Sequence, residues 1–484
     1  MEKDARTLNP DSDDTKYPSG YPVAKQSIDR FVNPGIMLFI DQLLVAAGGW
    51  LYWIMISKFV LTSEIGHATT VYSLVLLANT ILQLGLEYPL LKKSISQRQQ
   101  LFGTVLLIEL VFTAISIPIV LFSIGNLYAE SAQFSLIAIG MLALSSVGFV
   151  SRFALLGLSN SRTILVVDAI GIVLKFGSAF ALVSTGYGTL GILISFLIQA
   201  GMVTVTTVLV ATKAFGLRIG NLSFIKTTLK DGLINTPTKL SSTLIISLSV
   251  VLLASFGIGS SELGVFYIAT MLSIVVGSFA SSLAFMSIPA SSALNKDLST
   301  GSLRIGLAFT APIVATLIAA PEYILSIIGT QYTSAGEILV ILSAGILPSA
   351  ILVNATSRFN NQNMPGKLLA IGTIRVGVFL VSFFALVPVM DSLGAAYSIL
   401  ISFSSSAALS IIWSGKAVLK YIGISSLSVI SGVVISKSVA FIVDGVHPVL
   451  VIGTAVGAAL CIMLALRCTS TKEIAAMIAS VRKV

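Results

Sequence analysis

Charged side chains are scarce in this sequence. They account for 10% of its 484 residues, whereas hydrophobic residues account for 55%. Soluble domains carry about 25% charged residues, because a surface in water needs them. The composition therefore excludes a soluble fold of this length and indicates a protein solvated by lipid. The net charge of +9 does not indicate a nucleic-acid partner, since the basic residues lie scattered in short gaps between apolar runs.

Cysteine and histidine are also scarce, with two residues of each. Cys461 and Cys468 match no metal-binding spacing, and His67 and His447 are too few for a histidine-based metal or hydrolase site. Long polar segments are missing too, because the longest gap between apolar runs is 214–231. We therefore predict no metal site, no catalytic residue and no cofactor, and we do not expect an enzyme.

The chain is rich in apolar runs of about 20 residues, the length at which a helix crosses a bilayer. We predict an all-α integral membrane protein with about fourteen transmembrane helices. The predicted spans are 36–57, 68–91, 101–123, 134–158, 163–184, 189–213, 232–255, 264–288, 303–328, 335–357, 367–389, 394–414, 418–442 and 447–467.

Basic residues orient these spans. With a cytoplasmic N-terminus, the inner gaps, the inner ends of the adjoining spans and the two tails hold 24 of the 29 Lys and Arg residues, and the outer gaps hold only Lys58. Positive charge concentrates on the cytoplasmic side of membrane proteins, and a wrong number of spans would disturb the alternation. We therefore predict a multi-pass protein of the cell membrane whose two termini are cytoplasmic.

Three short motifs recur at offsets of 198, 206 and 203 residues, at equivalent places in the predicted topology. The pairs are Ser63-Glu64-Ile65-Gly66 with Ser261-Glu262-Leu263-Gly264, Ser151-Arg152-Phe153 with Ser357-Arg358-Phe359, and Leu190-Gly191 plus Ser195 with Leu393-Gly394 plus Ser398. We predict two parallel six-helix bundles, which form a V that opens inward or outward, followed by an extra helix pair. Transporters with parallel repeats bind their substrate between the halves.

This organisation divides the chain into five parts. They are a disordered cytoplasmic tail (1–32), an N-terminal six-helix bundle (33–213), a cytoplasmic linker (214–231), a C-terminal six-helix bundle (232–414), and two extra helices with a cytoplasmic tail (415–484). The first part is assigned to a tail because Asp11, Asp13 and Asp14 mix with Pro, Ser and Gly ahead of the first apolar run.

Loop and turn motifs in both halves resemble a known family. They are Ile56-Ser57-Lys58-Phe59, Ser63-Glu64-Ile65-Gly66, Leu84-Gly85-Leu86-Glu87, Asn235-Thr236-Pro237, Ser287-Ile288-Pro289, Gly329-Thr330-Gln331-Tyr332 and Leu393-Gly394-Ala395-Ala396. They are similar to motifs of the Wzx-type polysaccharide-biosynthesis flippases, within the multidrug/oligosaccharidyl-lipid/polysaccharide (MOP) exporter superfamily. The resemblance covers roughly residues 34–415. It departs from the family in the seventh span, which is uncharged from Leu240 to Ser255 where an aspartate is usual.

The resemblance implies a flippase for surface polysaccharide or glycan assembly. Such a protein moves an oligosaccharide linked to polyprenyl phosphate or pyrophosphate from the cytoplasmic to the outer leaflet by alternating access. The implied partners are this lipid-linked oligosaccharide, membrane lipids, H⁺ or Na⁺ as a coupling ion, and glycan-assembly proteins.

Basic residues inside the spans mark the candidate substrate site, because a charge in hydrocarbon is costly and usually faces a bundle interior or a wet cavity. Lys175 lies about 18 Å from the cytoplasmic end of its span, and Lys239 and Arg375 lie about 12 Å from theirs. We predict that these three cations hold a phosphate headgroup, which Arg can grip in a fork while Lys acts as a movable point charge. Structural neutralisation by acids is the alternative. Lys437, near an outer end, is expected to reach the interface instead.

Three acids also lie inside the spans, at Asp41, Glu109 and Asp168. All three are within about 12 Å of the cytoplasmic end of their helices. They are candidates either for ion coupling or for charge partners of the buried cations.

Other functions remain open. A cation-coupled multidrug antiporter of the same superfamily would favour acids and aromatic residues in its cavity, whereas the deepest charge here is Lys175. An unrelated transporter of parallel-repeat design is a further alternative. A membrane-embedded glycan-processing enzyme is less favoured, because the predicted outer loops are short.

Overall fold

The computed structural model describes residues 23–92, 95–128, 131–158, 160–239, 244–294, 299–362, 364–414, 416–443, 447–466 and 468. These residues form helices and turns, with no strand among them. Among the described residues, eleven helices are long and apolar enough to cross a membrane. Ile40–Ile56 and Ile245–Ser255 are two shorter apolar helices, and the 50-residue helix Pro365–Ser414 bends at Asp391 and supplies two spans. The described chain therefore accounts for the fourteen predicted spans.

The first bundle packs α1 against α6, α5 against α4 and α7, and α6 against α7. Its helices are α1 (Val23–Ile56), α2 (Thr62–Leu82), α3 (Glu87–Lys92), α4 (Ile95–Leu127), α5 (Ser131–Gly157), α6 (Ser161–Ser184) and α7 (Gly188–Phe215). Several starts differ from the prediction. α1 begins within the predicted tail, and α2 and α4 each begin six residues before their predicted spans. Hydropathy marks only the part of a helix that lies in lipid, and a polar first turn can extend the helix beyond that part. In the first turn of α2, the Glu64 carboxylate accepts a hydrogen bond from the Leu61 amide at 3.1 Å.

The second bundle repeats this arrangement with more breaks in its helices. Its helices are α8 (Leu222–Lys239), α9 (Ile245–Ser255), α10 (Ser260–Leu294), α11 (Ser299–Ala319), α12 (Pro321–Ile328), a 3₁₀ turn (Thr330–Ala335), α13 (Gly336–Ala344), α14 (Ile346–Asn361) and α15 (Pro365–Ser414). α8 starts inside the predicted linker 214–231, because Phe224, Ile225 and Leu229 pack against an apolar cluster of the first bundle around Leu86 and Leu90.

The remaining two helices, α16 (Lys416–Ile442) and α17 (Pro448–Ala465), pack against each other and against α11. They therefore lie on the outside of the second bundle. Ala455 and Met463 of α17 are buried there, whereas Val449 and Leu450 are exposed.

We name the two ends of the bundles after Glu64, in the first turn of α2, and Arg152, near the last turn of α5. At the Glu64 end, α2 and α1 pack against α10, and the Ser57 hydroxyl donates to the Ile328 carbonyl at 2.9 Å. At the Arg152 end, α3 packs against α8. A Cβ on Gly232 would lie 2.7 Å from the Leu84 carbonyl oxygen there. The two bundles thus touch at both ends.

Candidate functional site

Two of the three acids predicted inside the spans share one arginine. Arg152 of α5 donates to Asp41 of α1 at 2.7 Å and also to Asp168 of α6. Both carboxylates are buried, and the second oxygen of Asp41, Oδ1, accepts no hydrogen bond within the described residues. Two carboxyl groups thus share one guanidinium, which ties three helices together.

Arg152 is the residue that the sequence reasoning missed. It was counted among the cytoplasmic basic residues at the end of the fourth predicted span, and Asp41 and Asp168 were candidates for ion coupling or for partners of deeper cations. α5 continues to Gly157, so Arg152 lies more than one turn inside the helix and can reach both acids. The recurrence of Ser-Arg-Phe at 151–153 and 357–359 was the available signal. The third acid, Glu109, is fully buried in α4.

Lys175 lies inside the first bundle with only 6% of its surface exposed. Its Nζ stands 4.6 Å from the ring centre of Tyr52 on α1 and 5.1 Å from that of Phe196 on α7. The Tyr52 hydroxyl is held in turn by Ser195 at 2.8 Å. Aromatic faces attract a cation but do not neutralise it. Lys175 is therefore a positive charge held by rings rather than by a carboxylate.

Arg375 is the corresponding charge of the second bundle, with 5% of its surface exposed. Its guanidinium carbon lies 4.1 Å from the ring centre of Phe403, beyond the bend of α15. Ser402 donates to the Arg375 carbonyl at 2.7 Å, which fixes the backbone beside the ring. The Nε atom has no hydrogen-bond acceptor in the part of the chain that the structure describes.

The two cations occupy related positions in the repeat. The 203-residue offset places Arg375 one helical turn from the equivalent of Lys175, and each cation lies against a ring on the last helix of its own bundle. In the described residues neither forms an ion pair, and no contact joins them directly. The third predicted cation, Lys239, ends α8, but its side chain lies outside the described residues. Lys437 is exposed on α16.

An aromatic seam connects Lys175 to the boundary between the bundles. Trp53 packs edge-on against Tyr52 at 5.2 Å and against Tyr267 of α10 at 5.3 Å between ring centres. Tyr72 of α2 stacks on Phe196 at 4.3 Å. The rings of Tyr52, Trp53 and Tyr267 are buried. Separation of the bundles would therefore uncover rings that adjoin a buried cation.

The chemistry that this arrangement offers is positive charge beside aromatic rings. Within the described ranges, no group of three or more His, Cys, Asp or Glu residues could hold a metal ion. Asn79 bridges helices, donating to Ser145 at 2.5 Å and accepting from Ser146 at 2.9 Å, and so has a packing role. Among the described residues, Lys175 and Arg375 are the two buried cations that no carboxylate contacts.

Comparison with known proteins identifies the fold. No protein-family model matches the chain, and no curated protein matches it. A solved structure of lipid II flippase MurJ, in an inward closed conformation, aligns with a TM-score of 0.67 at 13% identity, covering 89% of this chain and 98% of the other. An inward-facing multidrug resistance MATE family transporter of the MOP superfamily aligns with a TM-score of 0.56 at 14% identity. The alignment covers 79% of this chain and 98% of that transporter. The MATE multidrug transporter DinF-BH, in complex with R6G, aligns with a TM-score of 0.56 at 17% identity. The alignment covers 80% of this chain and 94% of DinF-BH. The chain therefore has the fold of these three solved structures, and its apolar helices indicate a multi-pass membrane protein.

Proposed function

We propose that this protein is a flippase that moves an oligosaccharide linked to polyprenyl phosphate or pyrophosphate from the cytoplasmic to the outer leaflet. The observation that carries the proposal is the pair of buried cations, Lys175 and Arg375, one in each bundle and each held only by aromatic rings in the described residues. A charge that stays unneutralised at membrane depth is costly and is kept where it has a function. A phosphate-bearing headgroup is the ligand that would neutralise both.

The balance of charges supports an anionic cargo. Asp41 and Asp168 are both bound to Arg152, so neither of them contacts Lys175. Lys175 has no such partner in the described part of the chain. Arg375 adds a planar fork of donors, which suits phosphate oxygens better than a lysine does. The site therefore favours phosphate over an organic cation.

The proposed direction of transport follows from the basic residues. The Glu64 end carries the gaps that are poor in Lys and Arg, and the Arg152 end carries the gaps that are rich in them. We assign the Glu64 end to the outside and both termini to the cytoplasm of a cell membrane. The MOP fold with parallel repeats is suited to alternating access between these two faces.

Asp41 and Asp168 are the proposed coupling site for H⁺ or Na⁺. They share a single counter-charge, and Asp41 Oδ1 accepts no hydrogen bond from a described residue. A proton or a monovalent cation would complete the charge balance of the group. Transport would then depend on an ion gradient as well as on the cargo.

A cation-coupled multidrug antiporter is the second candidate, and the buried acids are the observation that favours it. In that case Asp41 would bind an organic cation in exchange for the coupling ion. The Arg152 guanidinium stands against this role, because it lies 2.7 Å from the Asp41 carboxylate and would repel a cationic drug.

Deletion of the gene, followed by analysis of lipid-linked glycans, tests the flippase. We expect glycan to accumulate on the cytoplasmic leaflet and to be cleared when the wild-type protein or Lys437→Met is restored, since Lys437 is exposed. Lys175→Met and Arg375→Met should be present in the membrane at normal levels and fail to clear it. Absence of any accumulated glycan, together with new sensitivity to organic cations, would favour the antiporter instead.

A further inference from the structure

Two glycines form a backbone-to-backbone crossing between the bundles at the Glu64 end. Gly66 is the fifth residue of α2, and Gly264 is the fifth residue of α10. A Cβ on Gly66 would lie 1.8 Å from the Ser260 carbonyl oxygen, and a Cβ on Gly264 would lie 2.2 Å from the Thr62 carbonyl oxygen. Neither position has room for a methyl group. The helices meet this closely because both residues lack a side chain.

The crossing is reciprocal. Each added Cβ would lie 3.1 Å from the amide nitrogen of the other glycine, and the two positions are related by the 198-residue repeat. Backbone oxygen cannot move aside as the end of a flexible side chain can. The same close contact is thus made once by each bundle, as in an interface between two similar halves.

Each crossing helix is tied to the last helix of its own bundle by a glutamate two residues before the glycine. Glu262 accepts from the backbone amide of Ser392 at 3.3 Å and also from its hydroxyl. In the first bundle, the Thr189 hydroxyl donates to the Glu64 carbonyl at 3.2 Å, and the Glu64 carboxylate lies beside Gly188. A negative charge at a helix start is stabilised by the free amides there. The crossing helices therefore move together with their bundles.

We propose that Gly66 and Gly264 form the seal of the Glu64 end, which closes when the bundles meet there and parts when they separate as rigid bodies. The inference rests on the proposed function only in taking transport to be alternating access. The seal lies above the aromatic seam, so its opening gives the site around Lys175 a path to that face. Because a single methyl group at either glycine blocks close approach, it holds the seal apart.

The test uses full-length protein in lipid nanodiscs, with Cys461 and Cys468 replaced by alanine and a Ser73→Cys reporter. Ser73 is buried and lies seven residues after Gly66, on the same face of α2. A charged, membrane-impermeant thiol reagent should label it slowly in the parent protein. Gly66→Ala and Gly264→Ala should each raise the labelling rate by about tenfold, a modest shift between closed and open populations.

The controls separate the seal from general loosening. Gly177→Ala adds the same methyl group where no atom lies within 4 Å, and it should label at the parent rate. The double variant Gly66→Ala/Gly264→Ala should label no faster than either single variant, because one methyl group is enough to prevent closure. Unchanged labelling in both single variants, in folded protein, would overturn the proposal.

A second measurement does not depend on the glycine variants folding. Gln331 donates to the Ser57 carbonyl at 3.2 Å across the two bundles, so Ser57→Cys and Gln331→Cys place thiols on opposite sides of the boundary at the Glu64 end. A short thiol cross-linker between them should abolish transport, and its reductive cleavage should restore it. Full transport by the cross-linked protein would contradict the seal. If labelling changes as expected but no lipid-linked glycan accumulates on deletion, the seal stands and the proposed cargo fails.

Discussion

Gly188 and Asp391 occupy the same place in the two bundles, 203 residues apart, and both have a left-handed backbone. Their φ angles are +37° and 49°. Gly188 begins α7, and Asp391 lies at the bend of α15 that begins the last helix of the second bundle. Both bundles thus turn into their last helix through a conformation that glycine adopts easily and aspartate does not.

Asp391→Gly should therefore stabilise the protein. Asp391 has φ 49° and ψ −131°, a backbone conformation that is strained for any residue with a Cβ atom. Its side chain is exposed. Relief of the strain is worth about 1 kcal/mol. The measurement is the apparent melting temperature in detergent, which should rise for Asp391→Gly and stay unchanged for Asp391→Ala, since alanine keeps the Cβ. An equal rise in melting temperature for both variants would mean that the aspartate side chain, and not the backbone strain, destabilises the wild-type protein.

Gly188→Ala should do the opposite. An added Cβ would be strained at φ +37° and would lie 1.9 Å from the Glu64 carboxylate. We expect a lower apparent melting temperature and a loosened start of α7. Gly186→Ala is the matched control, because Gly186 also has a positive φ but has no atom within 4 Å of the added Cβ. A larger loss in Gly186→Ala than in Gly188→Ala would contradict the contact with Glu64.

Arg152→Gln should be strongly destabilising. Removal of the guanidinium leaves Asp41 and Asp168 buried near each other without a counter-charge, and breaking a buried ion pair from one side costs about 3–5 kcal/mol. The apparent melting temperature should fall sharply. Arg162→Gln, in which an exposed arginine at the start of α6 is replaced, should have little effect. Addition of Asp41→Asn and Asp168→Asn to the Arg152→Gln background should recover much of the loss.

Asp41→Asn alone should preserve stability. The substitution removes one of the two carboxyl groups that share Arg152. Asp168 and Arg152 then remain as an ion pair of one acid and one base. If the two acids couple transport to an ion, this variant should still bind cargo but lose its dependence on the ion gradient. Transport by Asp41→Asn that follows the gradient as the wild type does would assign the coupling elsewhere.

Arg375→Lys should reduce transport although it keeps the charge. Lysine cannot stack a planar group over Phe403 at 4.1 Å, and it cannot grip phosphate in a fork. We expect a fall of about tenfold in flipping rate, which corresponds to roughly 1.4 kcal/mol. Arg162→Lys at the membrane edge should be neutral. An unimpaired Arg375→Lys would show that only charge is needed at this position.

The sequence predicted the fold well because the strongest signals were global. Apolar length located the spans, and the recurrence of the Ser63–Gly66 and Ser151–Phe153 motifs divided them into two bundles and a pair. The resemblance to MOP exporters agrees with the fold of the solved structures. The subfamily and its cargo stay predictions. Helix starts were less accurate, since α1, α2 and α8 extend past the apolar stretches into polar sequence.

The candidate site was predicted only in part. Depth along a helix follows from residue counting, so Lys175, Arg375, Asp41, Glu109 and Asp168 could be named in advance, and all five are buried. Their partners could not be named. The direction in which a side chain points depends on how helices rotate against their neighbours, and the apolar pattern of a lipid-facing helix does not fix that rotation. Arg152, counted with the cytoplasmic basic residues, therefore became known as the partner of two acids only from the packing of α1, α5 and α6.

The sequence by itself determined that this chain crosses the membrane about fourteen times as two related halves, because hydrophobic length and repetition are written along the chain. The tertiary structure decided which charges are neutralised, which rings hold Lys175 and Arg375, and where the backbones of Gly66 and Gly264 meet. These are relations between residues far apart in sequence, and they depend on distances of a few ångströms that no local pattern encodes.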